Sequence, residues 1–188
     1  MSQTASEKIR WTTADLQLFP ENGNRYEIID GDLLITRAPS WQHQVVCGRI
    51  FAALDAGSVS TGLGRGAIAP GVIFSDADNV IPDVVWASNA RLDKLLDPAG
   101  HLTGAPELIV EVLSPGKENQ LRDKEAKLKL YSSRGVQEYW LVDCLLQEIQ
   151  VYRRETVRLV LVATWLNRDR ISSPLLPGFS CAVAPLFA

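Results

Sequence analysis

Glu111 stands in the middle of Leu108-Ile109-Val110-Glu111-Val112-Leu113, a run otherwise free of charge. A strand apolar on both faces reads as the buried centre of a sheet. A carboxylate there is costly unless it is paired with a cation or binds one. A salt bridge to Arg or Lys would satisfy it. A second carboxylate on the neighbouring strand would turn the balance toward a metal. Asp83 is that second carboxylate, following Pro82 and opening Val84-Val85-Trp86. Alone, an Asp at a strand start is an ordinary turn residue. With Glu111 it makes a two-carboxylate site for a hard divalent cation such as Mg²⁺.

A third group comes from a helix expected from about Glu118 to Ser133 and ended by Gly135. At about 100° per residue from Leu121, the apolar arc centres near about 250°. Lys127 falls at about 240° and Asp123 at about 200°, inside that arc. Arg122, Glu125 and Lys129 fall on the water side. An exposed Asp123–Lys127 pair at i, i+4 contributes only tenths of a kcal/mol. Turned inward, Lys127 would stand beside the carboxylates of the adjoining strand. Glu27 interrupts another apolar strand. His43 occupies the first turn of a helix after Pro39-Ser40-Trp41; a lone His is more often structural than catalytic.

The elements that must hold these groups follow from local pattern. Thr12 caps a short helix ending near Pro20. Tyr26 to Ile29 and Asp32 to Ile35 form a hairpin about Asp30-Gly31. Ser40 caps a helix carrying Val45, Val46, Ile50, Phe51 and Leu54. Gly57 to Gly66 is expected as a loop. Ile68 to Phe74 and Pro82 to Trp86 are expected as strands around an Asp78-Asn79 turn, and residues 91–104 as a short helix and a loop. Strand 108–113, the helix, and strand 138–143 form a right-handed parallel crossover. Strands over 148–152 and 158–164 and an extended Pro-rich tail follow. The fold class is α/β with a mixed sheet.

With 188 residues, the chain is expected to form one domain over 1–188. Apolar residues at 46% and charged residues at 22% exclude overall disorder. No apolar run approaches the roughly 18 residues of a spanning helix, so no membrane partner is expected. The N-terminus has no secretory pattern, and Cys47, Cys144 and Cys181 are widely spaced. A cytoplasmic protein with reduced thiols is the expectation. Residues 1–116 carry 8 basic and 14 acidic groups, and residues 117–188 carry 11 and 8. That asymmetry suits an acid pocket beside a basic surface.

The ordered set Tyr26-Glu27-Ile28-Ile29-Asp30-Gly31, Pro82-Asp83-Val84-Val85 and Pro106-Glu107 through Ser114-Pro115 is more specific than any one motif. It continues in Asp123, Lys127 and Tyr131, then Gly135 to Asp143 and Ser173 to Gly178. This set resembles the bacterial Uma-type family of restriction-endonuclease-like proteins, long carried as a domain of unknown function in the PD-(D/E)XK nuclease superfamily. The resemblance covers nearly the whole chain. It implies a restriction-endonuclease-like mixed central sheet flanked by helices, with an N-terminal hairpin, C-terminal strands and a site at a forked strand pair. It implies an endonuclease that hydrolyses the phosphodiester bonds of DNA with Mg²⁺, or Mn²⁺. Asp83, Glu111 and a main-chain carbonyl near Val112 would hold the metal. The superfamily pattern places Lys two positions after the acid, where this chain has Leu113; Lys127 on the following helix would take that role. Glu27 resembles an additional acid near the metal, and His43 matches a family His without an assigned role. Cutting both strands of a duplex suggests a homodimer. The alternative is a catalytically inactive nuclease-fold module that binds DNA or a protein and keeps these groups as a buried ion network.

Overall fold

The structure, a computed structural model, describes residues 9–114 and 121–188. A 3-10 turn, Thr13–Leu18, begins at Thr12, whose amide and hydroxyl both donate to the Asp15 carboxylate. Strands β1 (Arg25–Ile29) and β2 (Asp32–Thr36) form the expected hairpin. Asp30 and Gly31 sit at φ 50° and 74°, the left-handed pair that a tight two-residue turn requires.

Helix α1 (Trp41–Thr61) starts at Ser40, whose hydroxyl accepts the His43 amide. The loop expected over 57–66 is instead the last turn of α1, a left-handed Gly62 (φ 67°) and strand β3 (Gly64–Ile68). Tertiary contacts decide this. Gly57 lies beneath the Phe179 ring, and Gly64 lies so close to the Ala87 carbonyl that a Cβ would stand 2.3 Å from it. The Ser58 hydroxyl donates to the Leu54 carbonyl and accepts the Trp86 indole N–H at 2.6 Å.

The single strand expected over 68–74 is broken by Ala69 (φ 49°), Pro70 and Gly71. Strands β4 (Val72–Ser75) and β5 (Asp78–Val80) pair about Asp76-Ala77, not about Asp78-Asn79. Asp78 belongs to a strand because its carboxylate has long-range partners: it accepts the Asp30 amide and the Ser75 hydroxyl and pairs with Arg134. Strand β5 adds to β1, giving a four-stranded antiparallel sheet in the order β2-β1-β5-β4.

The main sheet has six strands: β6 (Val84–Ser88), β7 (Leu108–Val112), β8 (Glu138–Asp143), β9 (Glu148–Glu155) and β10 (Arg158–Leu166), with β3. Its order is β10-β9-β8-β7-β6-β3. Only β7 and β8 run parallel, as the expected crossover demands; the other pairs are antiparallel. Helix α2 (Asn89–Leu95) follows β6. Between β7 and β8 lies α3, whose π-helical half Arg122–Lys127 passes into α-helical Leu128–Arg134. Gly135, at φ 94°, ends it. The part of this helix expected over 118–120 lies outside the described residues.

Alternation along the central strands divides the core. Val84, Trp86, Leu108, Val110, Trp140 and Val142 pack on α1 and the tail. Val85, Ile109, Tyr139 and Leu141 pack with Leu130 and Tyr131 of α3. The tail is more than an extended strap: β11 (Arg170–Ile171) and β12 (Cys181–Ala182) pair, and the short helix α4 (Ala184–Phe187) follows. Phe179, Leu186 and Phe187 complete the α1-side core. The architecture is the expected mixed α/β sheet flanked by helices. Among the described residues no helix is long and apolar enough to cross a membrane.

Candidate functional site

Strands β6 and β7 pair as Trp86 with Leu108, Val85 with Ile109 and Val84 with Val110. The next pair in this register would be Asp83 with Glu111, but the ladder ends before it. There the Asp83 carboxylate, through Oδ2, accepts the Val112 amide at 2.9 Å. A side chain thus replaces a backbone partner, and the two strands fork around two carboxylates. Glu111 alternates with Ile109 and points toward α3.

Helix α3 delivers Lys127, which is 2% exposed. Its Nζ lies 2.8 Å from Glu111 Oε1, 3.2 Å from Glu27 Oε1 and 3.9 Å from Asp123. The Tyr131 hydroxyl, one turn on, donates to the same Glu111 oxygen at 2.6 Å. The inward orientation read for Asp123 and Lys127 is observed. Arg122, expected on the water side, instead lies over Asp123 at 3.0 Å and lines the cavity. The wider i→i+5 winding of a π turn shifts its direction. Glu27 enters from β1, and its Oε1 accepts the Ile81 amide at 2.8 Å.

Two further groups converge on Asp83. Arg25 of β1 donates to Oδ1 at 2.8 Å, and His43 Nε2 lies 3.1 Å from the same oxygen. Neither His43 ring nitrogen makes a hydrogen bond of good geometry among the described residues, so its approach to Asp83 is a close contact only. The ligand atoms of His43, Cys47 and Asp83 lie within 4.8 Å of one another. Sequence reasoning named His43 without a role and missed Arg25. One signal was available for Arg25: it is two residues from Glu27 on a strand, hence on the same face.

Arg25, Glu27, His43, Asp83, Glu111, Asp123 and Lys127 line a small cavity of about 30 Å³, room for one or two waters. A larger groove of about 790 Å³ runs between the β1–β2 hairpin and α3, but Glu27, Asp83, Glu111 and Lys127 are not among its lining residues. The converging acids all lie at the smaller one.

The electrostatics follow from burial and crowding. Burial works to raise Asp83, but His43, Lys127 and the Val112 amide outweigh it and hold the carboxyl down at about 2. Burial pushes Glu111 up, to about 8, against the pull of Lys127 and with the help of Asp83, Asp123 and Glu27. Burial also raises Asp123, against Lys127 and Arg122. Lys127 loses hydration, yet the surrounding carboxylates raise it above its ordinary value and keep it charged. Burial and the charges of Asp83 and Glu111 push the Cys47 thiol up, so it is protonated here. Around the cavity four acids, Glu27, Asp83, Glu111 and Asp123, face four cations, Arg25, Arg37, Arg122 and Lys127.

The carboxylate oxygens gathered there are the donors that a hard divalent cation takes. Glu111 and Glu27 each use only Oε1 toward described residues. Asp83 uses both oxygens, so a cation reaching it must share or displace partners on Oδ1. Of the basic groups of the second half, Arg122 and Lys127 line the cavity, and three others are committed elsewhere. Arg134 pairs with Asp78, Arg153 with Glu138, and Arg154 caps the Tyr131, Ser132 and Val136 carbonyls. The cations nearest the site include Arg25 and Arg37 from the acidic half.

No curated protein matches the sequence. Among solved structures, the chain resembles a putative nuclease belonging to DUF820 from Anabaena variabilis ATCC 29413. The identity is 17% over 94% of this chain and 97% of the other, at a TM-score of 0.73, which shows a shared fold. The type IIG restriction endonuclease BpuSI matches 63% of this chain with 13% of its own, at 18% identity and a TM-score of 0.37. The family model Uma2, described as "Putative restriction endonuclease", matches residues 13–184. From its hairpin to its last helix, therefore, the chain belongs to the Uma2 family.

Proposed function

We propose that the protein is a metal-dependent DNA endonuclease of the PD-(D/E)XK type, with its site at the β6–β7 fork. The observation that carries this reading is the convergence of Asp83, Glu111, Glu27 and the buried Lys127 on one cavity, at a break in the central sheet. Asp83 and Glu111, with the Val112 carbonyl, would hold Mg²⁺ or Mn²⁺. When bound, such an ion lowers the pKa of a ligand water and offsets charge on the scissile phosphate. Lys127 fixes Glu111 and Glu27 through its ammonium and presents positive charge toward the negative charge that develops on the phosphate. Tyr131 locks Glu111 Oε1, and the Val112 amide locks Asp83 Oδ2, so neither carboxylate reorganises as substrate enters. Glu27 stands beside the pair as a further acid for a second ion or a water.

The test is cleavage of supercoiled plasmid and single-stranded DNA in Mg²⁺ or Mn²⁺ by wild type and Glu111→Ala. Metal-dependent nicking by wild type, lost in the variant, is expected. Absence of cleavage, together with no Mn²⁺-induced rise in melting temperature, would favour the second reading. That reading is a non-catalytic nuclease-fold module binding DNA or a partner protein. One observation speaks for it: Arg25, His43 and the Val112 amide occupy both oxygens of Asp83. A symmetric pair of chains, one site per strand, completes the endonuclease reading.

A further inference from the structure

Strand β1 presents two cavity-lining side chains of opposite charge, Arg25 and Glu27, on one face. They differ in how they are held. The Glu27 side chain is 3% exposed and tied to the Ile81 amide and Lys127. The Arg25 side chain is 22% exposed, although its partner Asp83 is 4% exposed. The Arg25 backbone is anchored opposite Thr36 in the hairpin. Its guanidinium is therefore a long arm reaching inward from the cavity wall, where Thr36 and Arg37 also lie. The other group on Asp83 Oδ1, His43, is 6% exposed and enclosed on α1. Of the two groups covering that oxygen, Arg25 is the one with solvent to move into.

We propose that Arg25 is a stand-in cation: it covers Asp83 Oδ1 in the metal-free protein, yields it when a divalent ion binds, and turns to a DNA phosphate at the cavity mouth. This rests on the endonuclease reading. A guanidinium and a divalent ion held by one carboxylate oxygen would repel each other at a few ångströms in a weakly screened site. Once released, a guanidinium suits a phosphate, which it grips with two parallel N–H donors. Ion binding thus delivers a positive charge to the mouth, coupling metal occupancy to DNA affinity in both directions.

The experiment compares wild type with Arg25→Gln, and with Arg25→Met should the Gln variant not fold. Calorimetry measures Mn²⁺ affinity without DNA. Fluorescence anisotropy measures binding of a labelled duplex, in chelator and in Ca²⁺, a hard cation that carboxylates ligate. The variant is expected to bind Mn²⁺ about tenfold more tightly, the scale of one charge-assisted hydrogen bond. Its DNA affinity should equal that of wild type in chelator and fall in Ca²⁺, with the salt slope reduced by about one. Equal or weaker Mn²⁺ binding by the variant overturns the proposal, because Arg25 then supports Asp83 rather than competing for it. An equal loss of DNA affinity in chelator and in Ca²⁺ overturns the switch. If wild type binds no Mn²⁺, the endonuclease reading itself fails and the proposal falls with it.

Discussion

Glu111 and Asp83 are adjacent carboxylates with opposite effects on stability. In chelator, Glu111 keeps its proton to about pH 8 in the folded chain, whereas its ordinary value is 4.5. The folded state binds the extra proton between those values, so stability falls as pH rises through that window. Asp83 is held low, near 2 against an ordinary 3.8. Its contribution is complete above the ordinary value and is lost as pH falls toward 2. Urea midpoints of wild type in chelator should therefore peak near about pH 4 to 5 and decline toward pH 8. Glu111→Gln should flatten that decline; an unchanged slope would refute the assignment to Glu111. The same change should cost no more than about 1 kcal/mol at neutral pH. Lys127 keeps Glu27 and Asp123 within 4 Å, and an amide oxygen can still accept from it. Lys127→Ala is the contrasting case. It strips the shared cation from Glu27, Glu111 and Asp123 and should destabilise by about 3–5 kcal/mol in urea titrations.

Among the elements, the fork depends on where ladders stop. Pairing of β6 with β7 ends at Val84 and Val110, and the Val112 amide beyond it turns to Asp83 instead of to a strand. The π turn of α3 is the second device: it swings Arg122 over the cavity while Asp123 and Lys127 keep the inward positions that ordinary helical periodicity gives them. The β3–β6 pair borders the fork strand from the other side and packs too tightly for any side chain at Gly64. Gly64→Ala should push β3 from β6 and destabilise by about 3 kcal/mol, at the upper end of overpacking costs. Denaturant titration would show it, and an unchanged midpoint would mean that β3 is not held as described.

For the whole molecule, the edge of the main sheet bears on assembly. Strand β10 ends the six-strand order, and Leu161 and Val162 are 52% and 42% exposed there. An edge strand with apolar side chains invites pairing, and a two-fold pair of chains is the economical way to supply two sites. Light scattering should give twice the 20.7 kDa chain mass. Leu161→Lys should shift the protein toward the single-chain mass if β10 forms the interface. A single-chain mass for wild type at all concentrations would remove the dimer.

Local pattern alone determined much of this protein. Asp30-Gly31 specified the hairpin because two positive φ angles suit few residue pairs. Glu111 stood out because an acid in an apolar strand must have a partner. Lys127 could be turned inward because helical periodicity survives tertiary context. The family was legible for the same reason: its ordered motifs lie in local runs. The remainder was decided only in three dimensions. Arg25 and His43 reach Asp83 from 58 and 40 positions away in sequence, and no spacing rule encodes which distant partner a carboxylate will meet. Residues 57–66 have loop composition but became helix and strand, because Phe179, Trp86 and the Ala87 carbonyl lie against them. Asp78 left the turn for a strand because Arg134 and the Asp30 amide hold its carboxylate. Local preferences differ by at most a kcal/mol or so per residue, about the size of one such contact; where several contacts agree, they overrule it.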